Sequence, residues 1–457
     1  MDINPSIFKS YDVRGIYPTE FNEEVATAIT KAYIKFFGVK KVILGRDVRE
    51  SGDKLFEAVK NTFINNGIDV TDIGVVSTDL FYFAVGSSDV DGGITISASH
   101  NPREWNGMNF CKRNAEPISS ETGLSQMKDL ILKNSIDLPG ATKKGTLSKK
   151  DFLEEFIKKS VSFIDISNIK PFKIVANANF GVDFIILKKA VEMYNLPLTL
   201  VPLNEKPDGT FPKGPPNPLL PQNREELLDL IKKEKADLGV SWDADGDRCF
   251  FADETGTFIE GYFMTAIIAK EMLKKYPGAK ILIDPRLVWA TTEEITNSGG
   301  VAIVSKPGMT IIADRMRQEN GVFAGEMSSH FYFKENFNRD NGIIPLFIIL
   351  EMLSNQNTTL SKLALPYTSK YFTPGEINFE TEKKDEIIEA ITQQYKEGKQ
   401  EHIDGLSVEF SDWRFNLRKS NTENLLRLNI ETREKEILDK RFEEIKNYIE
   451  SFGAHIH

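Results

Sequence analysis

The sequence is poor in the features that staple small folds, cross membranes or attract polyanions. Cys111 and Cys249 are its only cysteines in 457 residues, too far apart in sequence for a metal-type pair or a disulfide framework. Reduced, structural thiols are expected. No apolar run approaches the ~18 residues of a membrane span, and the opening stretch MDINPSIFKSYDVRG has no apolar signal core. Both absences point to a cytoplasmic protein. Positive charge is in deficit, with 57 Lys and Arg against 67 Asp and Glu and a formal net charge of −10. No bulk field therefore draws the chain to nucleic acid or an anionic membrane, and an anionic ligand must meet a local basic pocket. Histidine is also scarce, at five residues, so its placement carries weight.

What remains is ordinary globular composition, 40% hydrophobic and 27% charged. The length exceeds what one core serves and suggests about three or four domains. Strand-like stretches at 41–47 and 68–73, a helical pattern at 53–65 and a further strand at 93–97 form a first unit. A Lys-rich stretch at 140–150 reads as a linker. Strands at 172–178, 198–203 and 238–242 then alternate with helices at 184–194 and 224–233. A third round has strands at 279–284, 301–304 and 322–324, with helices at 289–297 and 310–319. Strands alternating with helices predict parallel α/β layers. The last ~90 residues differ, with a hairpin at 406–417, a strand at 426–430 and a closing helix at 435–449, the pattern of a separate α+β domain.

In such sheets ligands gather beyond the carboxyl ends of the strands, so the residues just past each strand matter most. Four loops stand out. The run Gly92-Gly93-Ile94-Thr95-Ile96-Ser97-Ala98 ends in Ser99-His100-Asn101-Pro102, which presents the Ser99 hydroxyl on a tight loop where a nucleophile is expected. Asp243, Asp245 and Asp247 alternate directly after a buried strand, with Gly246 to turn the backbone and Arg248 next. Three such carboxylates suit one hard cation, with magnesium the natural choice. A calcium-binding helix-loop-helix is excluded because Arg248 occupies the position that needs glycine and strands flank the loop. Glu326 and Ser328, in Gly325-Glu326-Met327-Ser328-Ser329-His330, can accept from and donate to vicinal sugar hydroxyls. Arg418, Ser420, Asn421, Thr422 and Arg427 combine guanidinium groups with hydroxyl and amide donors, a set suited to a phosphate dianion.

Taken together and in this order, the Ser-His-Asn-Pro, Asp-Gly-Asp-Arg, Gly-Glu-Met-Ser and Arg/Ser-Asn-Thr loops resemble the α-D-phosphohexomutase family. The stretches FKSYDVRG at 8–15, PDGTFP at 207–212, DPRLVW at 284–289 and DWRFNLR at 412–418 extend the resemblance nearly end to end. Within the family the pattern is most similar to the bacterial phosphomannomutase branch. The resemblance implies three successive α/β domains with mixed sheets plus a C-terminal α+β domain, arranged around one central cleft. Expected boundaries are 1–145 with the phosphoserine loop, 146–249 with the metal loop, 250–366 with the sugar loop and 367–457 with the phosphate loop.

The implied activity is an intramolecular phosphotransferase of the isomerase class, interconverting mannose 6-phosphate and mannose 1-phosphate, and also glucose phosphates. Ser99 would be carried as a phosphoserine, with Mg2+ held by Asp243, Asp245, Asp247 and a phosphoserine oxygen. A hexose 1,6-bisphosphate would serve as intermediate and activator. His100, Arg14 and Arg248 would flank the reacting group, His330 would move the proton, and Arg286 would face the reaction centre beside Glu326 and Ser328. Arg418, Ser420, Asn421, Thr422 and Arg427 would grip the non-reacting phosphate. Partners would be small sugar phosphates, with neither nucleic acid nor membrane, in a monomer or homodimer. The chain departs from the family pattern where Asn109 stands for a lysine and Met309 for a histidine; Lys112 or Lys306 could compensate. These losses keep two other readings in play, a metal-dependent sugar phosphatase and a weakly active sugar-phosphate-binding protein.

Overall fold

The structure, a computed structural model, describes residues 3–420 and 424–456. The chain divides into two compact units, one of residues 1–259, 308–318 and 330–360, the other of 260–307, 319–329 and 361–457.

The first unit holds two mixed sheets. Strands Gly92–Ile96, Lys41–Arg46, Asp69–Val75 and Leu147–Lys149 run parallel; Trp105–Lys112 pairs antiparallel with Gly92–Ile96, and Val13–Ile16 pairs antiparallel with Trp105–Lys112 at the edge. Gly92–Ile96 is buried along its whole length, as a central strand covered on both faces must be. Glycine is required at 93, where a Cβ would lie 2.7 Å from the Ile43 carbonyl and 2.9 Å from the Phe81 ring. The helix Glu23–Phe37 covers this sheet. Asn22 caps it by accepting from the Glu24 and Val25 amides, Glu23 and Glu24 meet its positive end, and Gly38 stops it in the left-handed region. Its Val25, Ala26, Ile29, Ala32 and Tyr33 enter the core with Phe63 and Phe110. The stretch read as a linker contributes the edge strand Leu147–Lys149, because Asp69 accepts from the Thr146 amide and hydroxyl and pins the chain against Asp69–Val75.

The second sheet orders Phe258–Ile259, Cys249–Asp253, Leu238–Trp242, Phe172–Asn177 and Leu198–Leu203. Strands Cys249–Asp253 and Phe258–Ile259 extend it beyond residue 249 by antiparallel pairing. Trp242 ends the central strand fully buried, with its indole nitrogen donating to the Gly342 carbonyl at 2.7 Å.

In the second unit, Lys280–Ile283 pairs in parallel with Val301–Val304 and Phe323–Gly325, with helices Gly261–Lys275 and Trp289–Asn297 alongside. The C-terminal sheet is antiparallel, ordered Lys399–Glu401, Leu406–Glu409, Trp413–Lys419, Leu425–Thr432, Glu376–Glu380 and His455–Ile456. Leu406 faces Leu417 across the hairpin, and Ile445 and Ile449 of helix Lys435–Glu450 close its core. This is an α/β fold of three α/β domains with mixed sheets and a C-terminal α+β domain. Among the described residues no helix is long and apolar enough to cross a membrane.

Candidate active site

Ser99 follows the buried strand Gly92–Ile96 and sits at φ 48°, a left-handed conformation uncommon for a residue with a Cβ. Surrounding contacts hold it there. Its amide donates to Ser97 Oγ at 2.9 Å, and Arg49 Nη2 donates to its carbonyl at 2.6 Å. Arg49 also donates to the carbonyls of Asn101, Pro102 and Trp105 at 2.7, 2.7 and 3.0 Å, so one buried guanidinium organises the whole turn. Asp47 and the Phe211 ring, whose centroid lies 4.9 Å from the guanidinium, fix Arg49 in turn. Arg14 adds donors to the Ala98 carbonyl at 3.2 Å and Asn101 Oδ1 at 2.7 Å, and is itself held by Asp12.

The Ser99 hydroxyl donates to Asp243 Oδ2 at 3.0 Å and stands 3.1 Å from His100 Nδ1. Asp243, Asp245 and Asp247 are buried, and each offers an oxygen within 4.8 Å of the others'. Their neighbours occupy only part of each carboxylate. Thr78 and Ser97 both donate to Asp245 Oδ2, at 2.7 and 3.0 Å, and Arg248 Nε lies 3.3 Å from Asp243 Oδ2. The Oδ1 atoms of all three aspartates are left buried without a hydrogen bond. Gly246 makes the turn at φ 73°, and a Cβ there would lie 2.3 Å from the buried carboxylate of Asp183, so no other residue fits.

Crowding raises the cost of negative charge here. Burial and the adjacent Asp247 push the Asp243 carboxyl up to about 6, and burial with Asp247 and Asp243 raises Asp245 well above the usual range. Asp247 goes the other way: burial opposes it, but His330, Arg248 and Arg14 outweigh burial. Three buried carboxylate oxygens without a hydrogen bond, on residues at mutual ligand distance, are the donor set of a hard divalent cation, and the residues present fit one.

Arg248 ties the remaining groups together. Its Nη2 donates to His100 Nδ1 at 2.8 Å and its Nε to His330 Nε2 at 3.2 Å, and a backbone bridge pairs residues 248 and 330. His330 Nε2 is also 3.5 Å from Asp247 Oδ1. Burial, then Arg248, Arg14, His330 and Arg49, depress the His100 imidazole well below its usual range, so it is neutral near physiological pH. The first unit thus gathers Arg14, Ser99, His100, Asp243, Asp245, Asp247, Arg248 and His330.

Arg286, Glu326, Ser328, Arg418, Ser420 and Arg427 belong to the second unit. Arg286 is clamped by Asp284, which also accepts from the Met327 amide at 3.3 Å and so anchors the Glu326 loop. Glu326 is buried and Ser328 half-buried. Arg418 and Arg427 sit opposite each other on adjacent strands, and the Ser420 amide donates to the Leu425 carbonyl at 2.9 Å. Asn421 and Thr422 lie outside the described residues. Arg414 and Glu431 pair at 2.8 Å beneath this site. Glu431 also accepts from the Val288 amide and the Tyr262 hydroxyl, and Arg414 donates to the carbonyls of Pro285 and Arg286.

Of the two departures from the family pattern, Asn109 is buried opposite Thr95, and Met309 opens helix Met309–Glu319 with its sulfur accepting from Tyr82 Oη at 3.2 Å. Lys112 pairs with Glu116 at 3.1 Å, and Lys306 is exposed. Arg49, Asp47, Thr78, Ser97 and Glu376 also serve these groups without standing out in the sequence, although Asp47 and Arg49 fall within three residues of the end of strand Lys41–Arg46, where ligand-binding residues are expected.

Comparison with known proteins gives the same class. Family models described as phosphoglucomutase/phosphomannomutase alpha/beta/alpha domains I, II and III match residues 5–135, 150–256 and 260–371, and that of the C-terminal domain matches 376–447. A phosphomannomutase of Escherichia coli is 39% identical over 446 residues, covering 96% of this chain and 98% of the relative. One of Vibrio cholerae is 40% identical over 455 residues, covering 97% and 98%. A crystal structure of a phosphoglucomutase/phosphomannomutase family protein from Burkholderia thailandensis superposes with a TM-score of 0.89 at 26% identity, covering both chains completely. The chain belongs to the phosphoglucomutase/phosphomannomutase family of α-D-phosphohexomutases. It is accordingly an intramolecular phosphotransferase, an isomerase acting on a sugar phosphate.

Proposed function

We propose that the chain interconverts mannose 6-phosphate and mannose 1-phosphate, and also glucose phosphates, through a phosphoserine at Ser99 and a hexose 1,6-bisphosphate. The observation that carries this reading is the Ser99 hydroxyl 3.0 Å from Asp243, beside three buried carboxylate oxygens that lack hydrogen bonds. Asp243, Asp245, Asp247 and a phosphoserine oxygen would hold Mg2+, which when bound supplies charge neutralisation for the phosphoryl oxygens. Arg248, fixed between His100 and His330, and Arg14, fixed by Asp12, place two further cations at the serine loop.

In the first half-reaction the Ser99 O–P bond breaks as a sugar hydroxyl oxygen bonds the phosphorus, and the hydroxyl proton passes to His330, whose residue type suits that work near neutral pH. In the second, Ser99 Oγ takes the phosphoryl from the other end of the bisphosphate and the proton returns. Glu326, Ser328 and Arg286 would read the sugar, while Arg418, Ser420, Asn421, Thr422 and Arg427 would grip the phosphate that is not reacting.

Four domains are proposed, at 1–145, 146–259, 260–366 and 367–457; the boundary expected at 249 moves to 259 because strands Cys249–Asp253 and Phe258–Ile259 extend the second sheet. Two buried free thiols accord with a cytoplasmic setting, and a monomer or homodimer is proposed. The test is a coupled assay with mannose 1-phosphate, Mg2+ and catalytic hexose 1,6-bisphosphate. The 6-phosphate should accumulate, and Ser99→Ala should abolish this. Release of inorganic phosphate instead would identify a phosphatase, and binding without turnover a sugar-phosphate-binding protein.

A further inference from the structure

Three arginines of the second unit converge on one carboxylate. Glu376 opens strand Glu376–Glu380 and faces Asn429 across the sheet, with Asn378 facing Arg427. Arg418 Nη2 donates to Glu376 Oε2 at 3.1 Å, Arg427 Nη1 to Oε1 at 3.2 Å and Asn429 Nδ2 to Oε2 at 3.3 Å, while Arg286 Nη1 lies 3.7 Å from Oε2. Other charges complete the group. Asp284 holds Arg286 Nε, Asp404 Oδ2 lies 3.8 Å from Arg418 Nε, and Lys306 and Glu326 act on the same cluster. Arg286, Arg418 and Arg427 are therefore balanced by Asp284, Glu376 and Asp404 before any substrate arrives.

We propose that Glu376 is a built-in counter-anion, holding the arginines that grip the substrate's phosphate and competing with that phosphate for them. The inference rests on the reading of Arg418 and Arg427 as phosphate ligands. A guanidinium carries five donors, so these arginines can meet a dianion while part of each remains on Glu376. The competition has a use in this chemistry. An intermediate that must be gripped first by one phosphate and then by the other has to be let go in between. Binding that is equally strong at every stage lowers KM without speeding the reaction. Glu376 weakens the grip while keeping its geometry.

Calorimetric titration of the full-length protein with inorganic phosphate tests this. Glu376→Gln should bind phosphate about fivefold more tightly, since it removes a like charge from the site. In steady state KM for the sugar phosphate and kcat should then fall together. Glu376→Asp, which keeps the charge, should return both towards the wild type. If the glutamine variant does not fold, Glu376→Ala takes its place with the same expectation. Unchanged or weaker phosphate binding in the neutral variant would overturn the inference and leave Glu376 as a structural brace. Arg418→Ala separates the two layers: lost phosphate binding supports the underlying reading, whereas undiminished binding overturns that reading and this inference with it.

Discussion

Arg49 donates to the carbonyl of Ser99 at 2.6 Å and to three more carbonyls of the same turn, so the conformation of the candidate nucleophile is set by a residue fifty positions earlier in the chain. A left-handed serine persists only where its surroundings over-determine it, and this guanidinium does so by holding four carbonyls of the turn at once.

Arg49→Lys tests that arrangement. A single ammonium cannot serve four carbonyls in the planes the guanidinium reaches. The hydroxyl should lose its alignment, with kcat falling about 100-fold and KM changing little. Steady-state kinetics, with circular dichroism to confirm the fold, would show it. An unchanged kcat would remove Arg49 from the account.

Removal of the cation should expose the repulsion within the aspartate loop. The wild-type protein should melt a few degrees higher with Mg2+ than with a chelator, since a ligand that binds only the folded state stabilises it. Asp245→Asn should lose that increment, yet melt above the wild type when both are metal-free, because one crowded charge is gone. Differential scanning fluorimetry with and without Mg2+ decides this, and an equal Mg2+ increment in both proteins would contradict a cation site at these carboxylates.

How far the sequence alone reaches depends on where each residue's partners lie. The strands at 41–46 and 172–177 and the hairpin joining 406–409 to 413–419 are legible because their apolar pattern is local and matches the sheet. Strand Trp105–Lys112 carries Asn106, Gly107 and Asn109 at buried positions, and such a pattern reads as a loop. Helix Ile344–Gln356 is buried nearly all round, so it shows no amphipathic period. The same distinction governs the site. Ser99 and the aspartate loop announce themselves by short spacing. Thr78 and Glu376 act through contacts with residues 167 and 42 or more positions away, which no local pattern records.

Acid should reveal the charge state of Glu376. Burial raises its carboxyl, but Arg418, Arg286 and Arg427 overcome burial and hold it down to about 2 from an ordinary 4.5. A depressed folded-state value means that its contribution to stability is fully present above about 4.5 and is lost as the pH falls towards about 2. In urea unfolding, Glu376→Gln should therefore be less stable than the wild type near neutral pH, and the difference should shrink through that acid window. A difference independent of pH would show that the glutamate contributes through packing alone.

Ser99 as the phosphoryl carrier is the centre of this account, and intact mass spectrometry tests it most directly. The full-length protein is incubated with Mg2+ and a hexose 1,6-bisphosphate, freed of ligand, and weighed beside Ser99→Ala treated in the same way. The wild type should show a population heavier by one phosphoryl group, which disappears on treatment with excess sugar monophosphate, while Ser99→Ala shows none. A phosphoryl gain retained in Ser99→Ala, or a wild-type protein that interconverts the sugar phosphates without ever carrying one, would contradict it.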